Sequence, residues 1–121
     1  MSWMHGLPEK LDFQIFSGRL LEMVCITINQ LYLHFDGDLF LTIEASYSFQ
    51  ETPDACLAIR EIPTFDNRLL SLLGQTITQA SKEDGGTLVI GFSSGALFKC
   101  YDPTSLYEAY RITLGKNQYI I

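Results

Sequence analysis

Four stretches of this chain have residue types and spacings that could do chemistry. Gly91-Phe92-Ser93-Ser94-Gly95 fits the G-x-S-x-G pattern, in which a serine on a sharp strand-to-helix turn becomes an acyl-transfer nucleophile. That chemistry needs a helix after the serine and a histidine later in the chain. Here Ala96 to Tyr101 reads as a strand, and His5 and His34 both precede the serine, so the motif is expected to be a hairpin turn. His34-x-Asp36-x-Asp38 could offer an imidazole and two carboxylates to a metal, but no second ligand cluster accompanies it, and Asp-Gly is first a turn signal. Asp84-Gly85-Gly86 lacks the Lys-Ser/Thr and helix of a phosphate loop. Cys56 lies near Asp54 and no base, so a reactive nucleophile is not expected there. No catalytic residue, metal ligand set or cofactor site is expected, and a non-enzyme is the favoured reading.

The elements that would position these residues are mostly strands. Val24 to Ile28, Leu31 to Phe35 and Leu39 to Ile43 are short and rich in β-branched and aromatic residues, as are Thr87 to Phe92 and Ala96 to Tyr101. Tyr110 to Thr113 and Tyr119 to Ile121, separated by Gly115-Lys116-Asn117, predict a closing hairpin. Asp66 as an N-cap and Gly74 as a terminator predict a short helix between them. Ser105-x-x-Glu108 fits a capping box for a helix over Leu106 to Arg111, but Tyr107 to Ile112 suits a strand equally, and the strand is preferred.

The pattern occurs twice. Gly18, Leu31-x-Leu33-x-Phe35 and Leu39-x-Leu41 are repeated by Gly74, Leu88-x-Ile90-x-Phe92 and Ala96-x-Phe98, with Gly18 and Gly74 separated by 56 positions and Phe35 and Phe92 by 57. The fold class is therefore mainly β, α+β at the margin: a pseudo-duplicated antiparallel meander, half-barrel or roll with one or two short helices. It is expected as one domain, with pseudo-repeats at about 12–49 and 66–113 and a connection at about 50–65. Three-residue loops at Asp36 to Asp38 and Ser93 to Gly95 would pair Phe35 with Leu39, Leu33 with Leu41, Leu31 with Ile43, Phe92 with Ala96 and Ile90 with Phe98. That register puts the large aliphatics on one face. The opposite face of the first hairpin then carries Tyr32, His34, Phe40, Thr42 and Glu44.

The 121-residue chain has a formal net charge of −6. An acidic chain has no counterion-release route to DNA or RNA, so no nucleic-acid partner is expected. All of that charge belongs to residues 20–59, which hold Glu22, Asp36, Asp38, Glu44, Glu51 and Asp54 and no lysine or arginine. The plain reading is a solvated surface; the sharper one is a docking face for a cationic partner. No signal peptide or run of apolar residues long enough for a membrane helix is visible, so a cytoplasmic protein with no membrane partner is expected. Cys25, Cys56 and Cys100 are expected as free thiols, with Cys25 and Cys100 in the core.

Gly18-Arg19-Leu20-Leu21-Glu22-Met23-Val24-Cys25-Ile26, Leu33-x-Phe35-Asp36-Gly37, Ile43-Glu44, Leu73-Gly74-Gln75-Thr76-Ile77 and Tyr107-Glu108-Ala109-Tyr110-Arg111-Ile112 together resemble a family of small uncharacterised bacterial β-rich proteins. Some proteins that look like this are immunity proteins of contact-dependent or polymorphic toxin systems. The resemblance implies a cognate protein toxin with a basic surface, such as a nuclease, as partner. Glu22, Asp36, Asp38, Glu44, Glu51 and Asp54 would then steer it, with Tyr32, His34 or Tyr47 as anchors. The glycine-rich, tryptophan-ended tail of that pattern is replaced here by Gly115 to Ile121. The competing expectation is a small ligand-binding or scaffold domain, a homodimer pairing through an exposed strand edge.

Overall fold

The structure is a computed structural model and describes residues 12–52, 54–62, 66–83, 86–101 and 110–120. Two antiparallel sheets of five strands account for most of these residues. A 3-10 helix (Phe13–Ile15) leads into β1 (Leu21–Ile26), β2 (Leu31–Phe35) and β3 (Leu39–Ile43). The chain then crosses into β4 (Ser46–Gln50) and β5 (Ile59–Glu61) of the second sheet. A second 3-10 helix (Asn67–Leu72) leads into β6 (Ile77–Glu83), β7 (Thr87–Phe92) and β8 (Leu97–Tyr101), and β9 (Tyr110–Leu114) and β10 (Asn117–Ile120) return to the first sheet. The strand orders are β1-β2-β3-β9-β10 and β5-β4-β8-β7-β6. Each half thus builds three strands of one sheet and contributes a two-strand hairpin to the other.

The alternation of apolar residues sets the register. Leu31 pairs with Ile43, Leu33 with Leu41 and Phe35 with Leu39, as a three-residue loop requires. In the second half Ile90 pairs with Phe98, and Phe92 N–H donates to Ala96 O at 2.9 Å. Gly95, at φ 93°, supplies the left-handed backbone of that loop. In the first loop the corresponding conformation falls on Asp38, at φ 62°, an uncommon setting for a residue with a Cβ. The inward rows of both sheets merge into one core in which Leu31, Leu33, Phe35, Leu39, Leu41, Ile43, Leu88, Ile90 and Phe98 are fully buried. Phe35 and Phe92, equivalent residues of the two halves, stack with ring centroids 6.4 Å apart.

The halves meet along a short antiparallel pairing centred on Leu20 and Thr76. Gly18 N–H donates to Ile77 O and Gly74 N–H to Leu21 O, both at 2.9 Å; Ile77 N–H donates to Arg19 O at 2.9 Å and Leu21 N–H to Gln75 O at 3.0 Å. A shift of 56 positions converts the first bond of each pair into the second. The side chains follow the same relation. Arg19 Nε donates to Ile15 O, and Gln75 Nε2 to Ser71 O, both at 2.8 Å. Asp36 Oδ1 accepts from Leu20 N–H at 2.8 Å, and Ser93 Oγ from Thr76 N–H at 3.4 Å. β1 and β6 even share a bulge at the same place, Leu21/Met23 and Ile77/Gln79. A local two-fold relation therefore runs through the Leu20–Thr76 bridge.

Three local expectations need correction. The stretch read as a connection at about 50–65 contains β5, which pairs Ile59 with Ser48 and Glu61 with Ser46. The helix begun by Asp66 is a 3-10 helix; its six residues complete too few turns for an α-helix to gain from its later hydrogen bonds. Cys25 is half-buried on the outward side of β1 opposite Tyr32, because the bulge at Leu21/Met23 shifts the alternation by one. Cys100 is fully buried as expected, and burial pushes its thiol pKa well up. The closing hairpin forms, with Leu114 opposite Asn117. The helix-or-strand alternative at Leu106 to Arg111 falls mainly outside the described residues; Tyr110 and Arg111 are strand.

Candidate interaction surface

The outward face of the first sheet is built by strand register. Met23, His34, Phe40, Thr113 and Gln118 form one row across it, and Cys25, Tyr32, Thr42 and Arg111 form the next. His34 and Phe40 lie directly opposite one another and stack nearly parallel, with ring centroids 4.1 Å apart. Met23, beside His34, is 45% exposed, so the row ends in an accessible apolar edge. One strand-step away the face turns polar. The Tyr32 hydroxyl donates to Gln30 Oε1, Gln30 Nε2 donates to Glu44 Oε1 at 3.1 Å, and Arg111 Nη2 lies 3.6 Å from the same carboxylate oxygen. Cross-strand aromatic and charge pairs of this kind hold side chains in fixed directions on a sheet.

Five of the nine residues singled out for partner binding, Glu22, Tyr32, His34, Asp36 and Asp38, lie on β1 to β3 or the loop joining β2 and β3, and a sixth, Glu44, directly follows β3. Asp36 and Asp38 are exposed at the hairpin tip, but Asp36 is also a structural latch through its bond to Leu20 N–H. Arg19 sits against that tip, its Nη1 donating to Asp36 O at 3.0 Å and Gly37 O at 3.1 Å. Gly37 suits this place: its φ is +73°, which disfavours a side chain, and a Cβ would push the Arg19 guanidinium aside. Glu51 and Asp54 are exposed beyond β4, in the second sheet's half of the molecule. Tyr47 must be withdrawn as an anchor. It is 0% exposed, stacks on Phe98 and points into the core, because its register sets it opposite the buried Cys100 on the inward face.

The densest polar constellation was not anticipated as more than a helix cap. Asp66, with a side chain 3% exposed, accepts from Arg68 Nε at 2.8 Å, Arg68 Nη2 at 2.7 Å and Arg68 N–H at 3.2 Å. The Tyr47 hydroxyl donates to Asp66 Oδ2 at 3.2 Å, and Arg60 Nε of β5 lies 3.5 Å from the same oxygen. The Arg68 guanidinium covers the Phe49 ring at 5.5 Å from its centroid. Its hydrogen bonds hold the Asp66 carboxyl below the ordinary carboxylate range, outweighing the burial that pushes the other way. Arg68 is raised in turn, mainly by the Asp66 hydrogen bonds. A carboxylate so fully occupied has no lone pair free for acid–base work; it pins the second 3-10 helix to β4 and the edge strand β5. Only the alternation Tyr47-x-Phe49 beside two nearby arginines could have hinted at it.

The motifs with apparent chemistry become turns. Ser93 and Ser94 cap the β7–β8 hairpin, with Ser94 Oγ donating to Gln75 Oε1 at 2.6 Å, and a strand follows instead of a helix. Among the described residues no three His, Cys, Asp or Glu side chains come together as a metal ligand set, and no helix is long and apolar enough to cross a membrane. The sequence profile of DUF6188, a family of unknown function, matches residues 14–121. The chain belongs to DUF6188. No curated protein and no solved structure matches it. The match to DUF6188 takes in both pseudo-equivalent glycines, the exposed hairpin tip and the Asp66 cluster.

Proposed function

We propose that this DUF6188 chain is a small acidic binding protein that engages a cationic protein partner, in the manner of an immunity protein blocking the basic cleft of a nuclease toxin. One observation carries the reading: Glu22, Asp36, Asp38, Glu51 and Asp54 are all exposed, while the sixth acid of the base-free window, Glu44, is held by Arg111. Five exposed carboxylates without a base between residues 20 and 59 bias encounter toward positive surfaces. The stacked His34–Phe40 pair and Met23 supply apolar contact area on the sheet that also carries Glu22, Asp36 and Asp38. The test is co-purification of a tagged full chain with the product of the adjacent gene, followed by measured association rates. Reversing Glu22, Asp38 and Glu51 together to lysine should slow association by about tenfold and flatten its salt dependence. No co-purifying partner and no protection on co-expression would refute the proposal.

A further inference from the structure

Among the described residues the two sheets have four edges, and the internal duplication allows them to be compared as equivalents. β1 and β6 are the outer strands of the two three-strand units; past the Leu20–Thr76 bridge, β1 from Met23 and β6 from Gln79 each pair on one side only among the described residues. After the shared bulge, β6 runs Gln79-Ala80-Ser81-Lys82-Glu83 and ends on two exposed charges. At the equivalent place β1 runs Met23-Val24-Cys25-Ile26, without a charge or a proline. Lysine and other charges are the usual means of protecting an edge from further pairing, so the protection on β6 is missing from β1. β5 is blunted as well, being three residues long and carrying Arg60 and Glu61, whereas β10, Asn117–Ile120, is short and uncharged. Within β1, Met23 is 45% exposed, and Ile28, in the turn that follows, is 75% exposed.

We propose that the free edge of β1 is a strand-addition site for an extended apolar segment of a partner protein, flanked by basic residues. The occupant's class follows from the chemistry of the edge: only another extended backbone offers a row of N–H and C=O groups at matching spacing. Its apolar core follows from Met23, Val24, Cys25 and Ile26. Its basic residues follow from charge, and here the inference rests on the cationic-partner reading above. Glu22 lies in β1 itself, Asp36 and Asp38 lie at the same end, where Phe35 pairs with Leu21, and no base occurs between residues 20 and 59. A second copy of the chain would bring two such acidic windows together and is disfavoured by like-charge repulsion. Strand addition would also extend the outward face, placing the new strand's side chains beside Met23 and Cys25 in line with His34 and Phe40.

Backbone amide exchange of the full chain, with and without synthetic peptides, tests this directly. The probes are a short β-branched peptide flanked by lysines and the same core flanked by glutamates. The lysine-flanked peptide should slow exchange of outward-pointing amides within Met23–Ile26 and leave β6 unchanged. Cys25→Lys, checked for folding by circular dichroism, should weaken that binding by about tenfold, as a lysine in an edge strand does; Ser81→Lys on β6 should not. Binding of the lysine-flanked peptide without protection of β1 would overturn the edge site while leaving an acidic binding surface in place. Equal binding of the glutamate-flanked peptide, no binding of either, or β1 protection that rises with protein concentration alone would each overturn the proposed occupant.

Discussion

Asp66→Ala is the perturbation that reports most directly on how the second 3-10 helix is held to the second sheet. It removes the N-cap bond to Arg68 N–H, a loss of about 1 kcal/mol. It takes from the buried Tyr47 hydroxyl its carboxylate acceptor, about 1 kcal/mol more. It also frees Arg68 from its place over Phe49, about 0.5 kcal/mol. The ion pairs add little beyond this, since Arg60 and Arg68 are 47% and 37% exposed and water replaces their partner. The expected destabilisation is about 2–3 kcal/mol. At an m-value of about 1.5 kcal/mol/M this lowers the urea midpoint by roughly 1.3–2 M. Asp66→Asn keeps the cap and an acceptor for Tyr47 and should cost less. It also isolates the charge. Because the folded pKa of Asp66 is depressed, the charge stabilises fully above the unfolded value of about 3.9 and is lost as pH falls through the folded pKa. The gap between wild type and Asp66→Asn should therefore narrow below about pH 4. An Asp66→Ala midpoint within about 0.3 M of wild type, or an Asn gap unchanged at low pH, would refute this account.

Other outcomes follow from the duplicated geometry. Phe35→Ala and Phe92→Ala should each cost about 3–5 kcal/mol by urea denaturation. The double variant should cost less than their sum, since each ring packs on the other. Asp36→Ala should destabilise by about 1 kcal/mol more than Ser93→Ala, because the Asp36 latch is shorter and charge-assisted. Asp38→Gly should raise the melting temperature through about 0.5 kcal/mol of relieved backbone strain at φ 62°. The same variant should slow association with a cationic partner, separating the residue's effect on stability from its effect on steering.

Much of the fold was legible because short-range rules and tertiary packing agree in the hairpins. Phe35 opposite Leu39 and Leu33 opposite Leu41 follow from the two-residue period and the turn chemistry at Asp36-Gly37. The spacing of Gly18 and Gly74 marked the duplication because both need a left-handed backbone, at φ 75° and 82°. β5 was missed because its three residues, Ile59 to Glu61, are all exposed and carry no alternation; only pairing with β4 makes them a strand. Tyr47 was misplaced because an acidic window on the sequence takes no account of the chain crossing between sheets after Ile43. The Asp66 cluster draws on β4, β5 and the second 3-10 helix, so its long-range pairs have no local signature.

The exchange of hairpins between the halves has a consequence for how the molecule is made. Neither half can complete a sheet alone, since β4 needs β8 and β9 needs β3. The first half therefore leaves the ribosome with β3 and β4 each lacking a neighbour, and it must wait for β8 and β9 before either gap is closed. Folding is then governed by closure of long loops and is slow for the chain's size. During that interval, or on transient opening, the halves of two molecules can trade places without loss of any contact described above. The architecture that buries one continuous core in a single chain is also a template for a domain-swapped dimer.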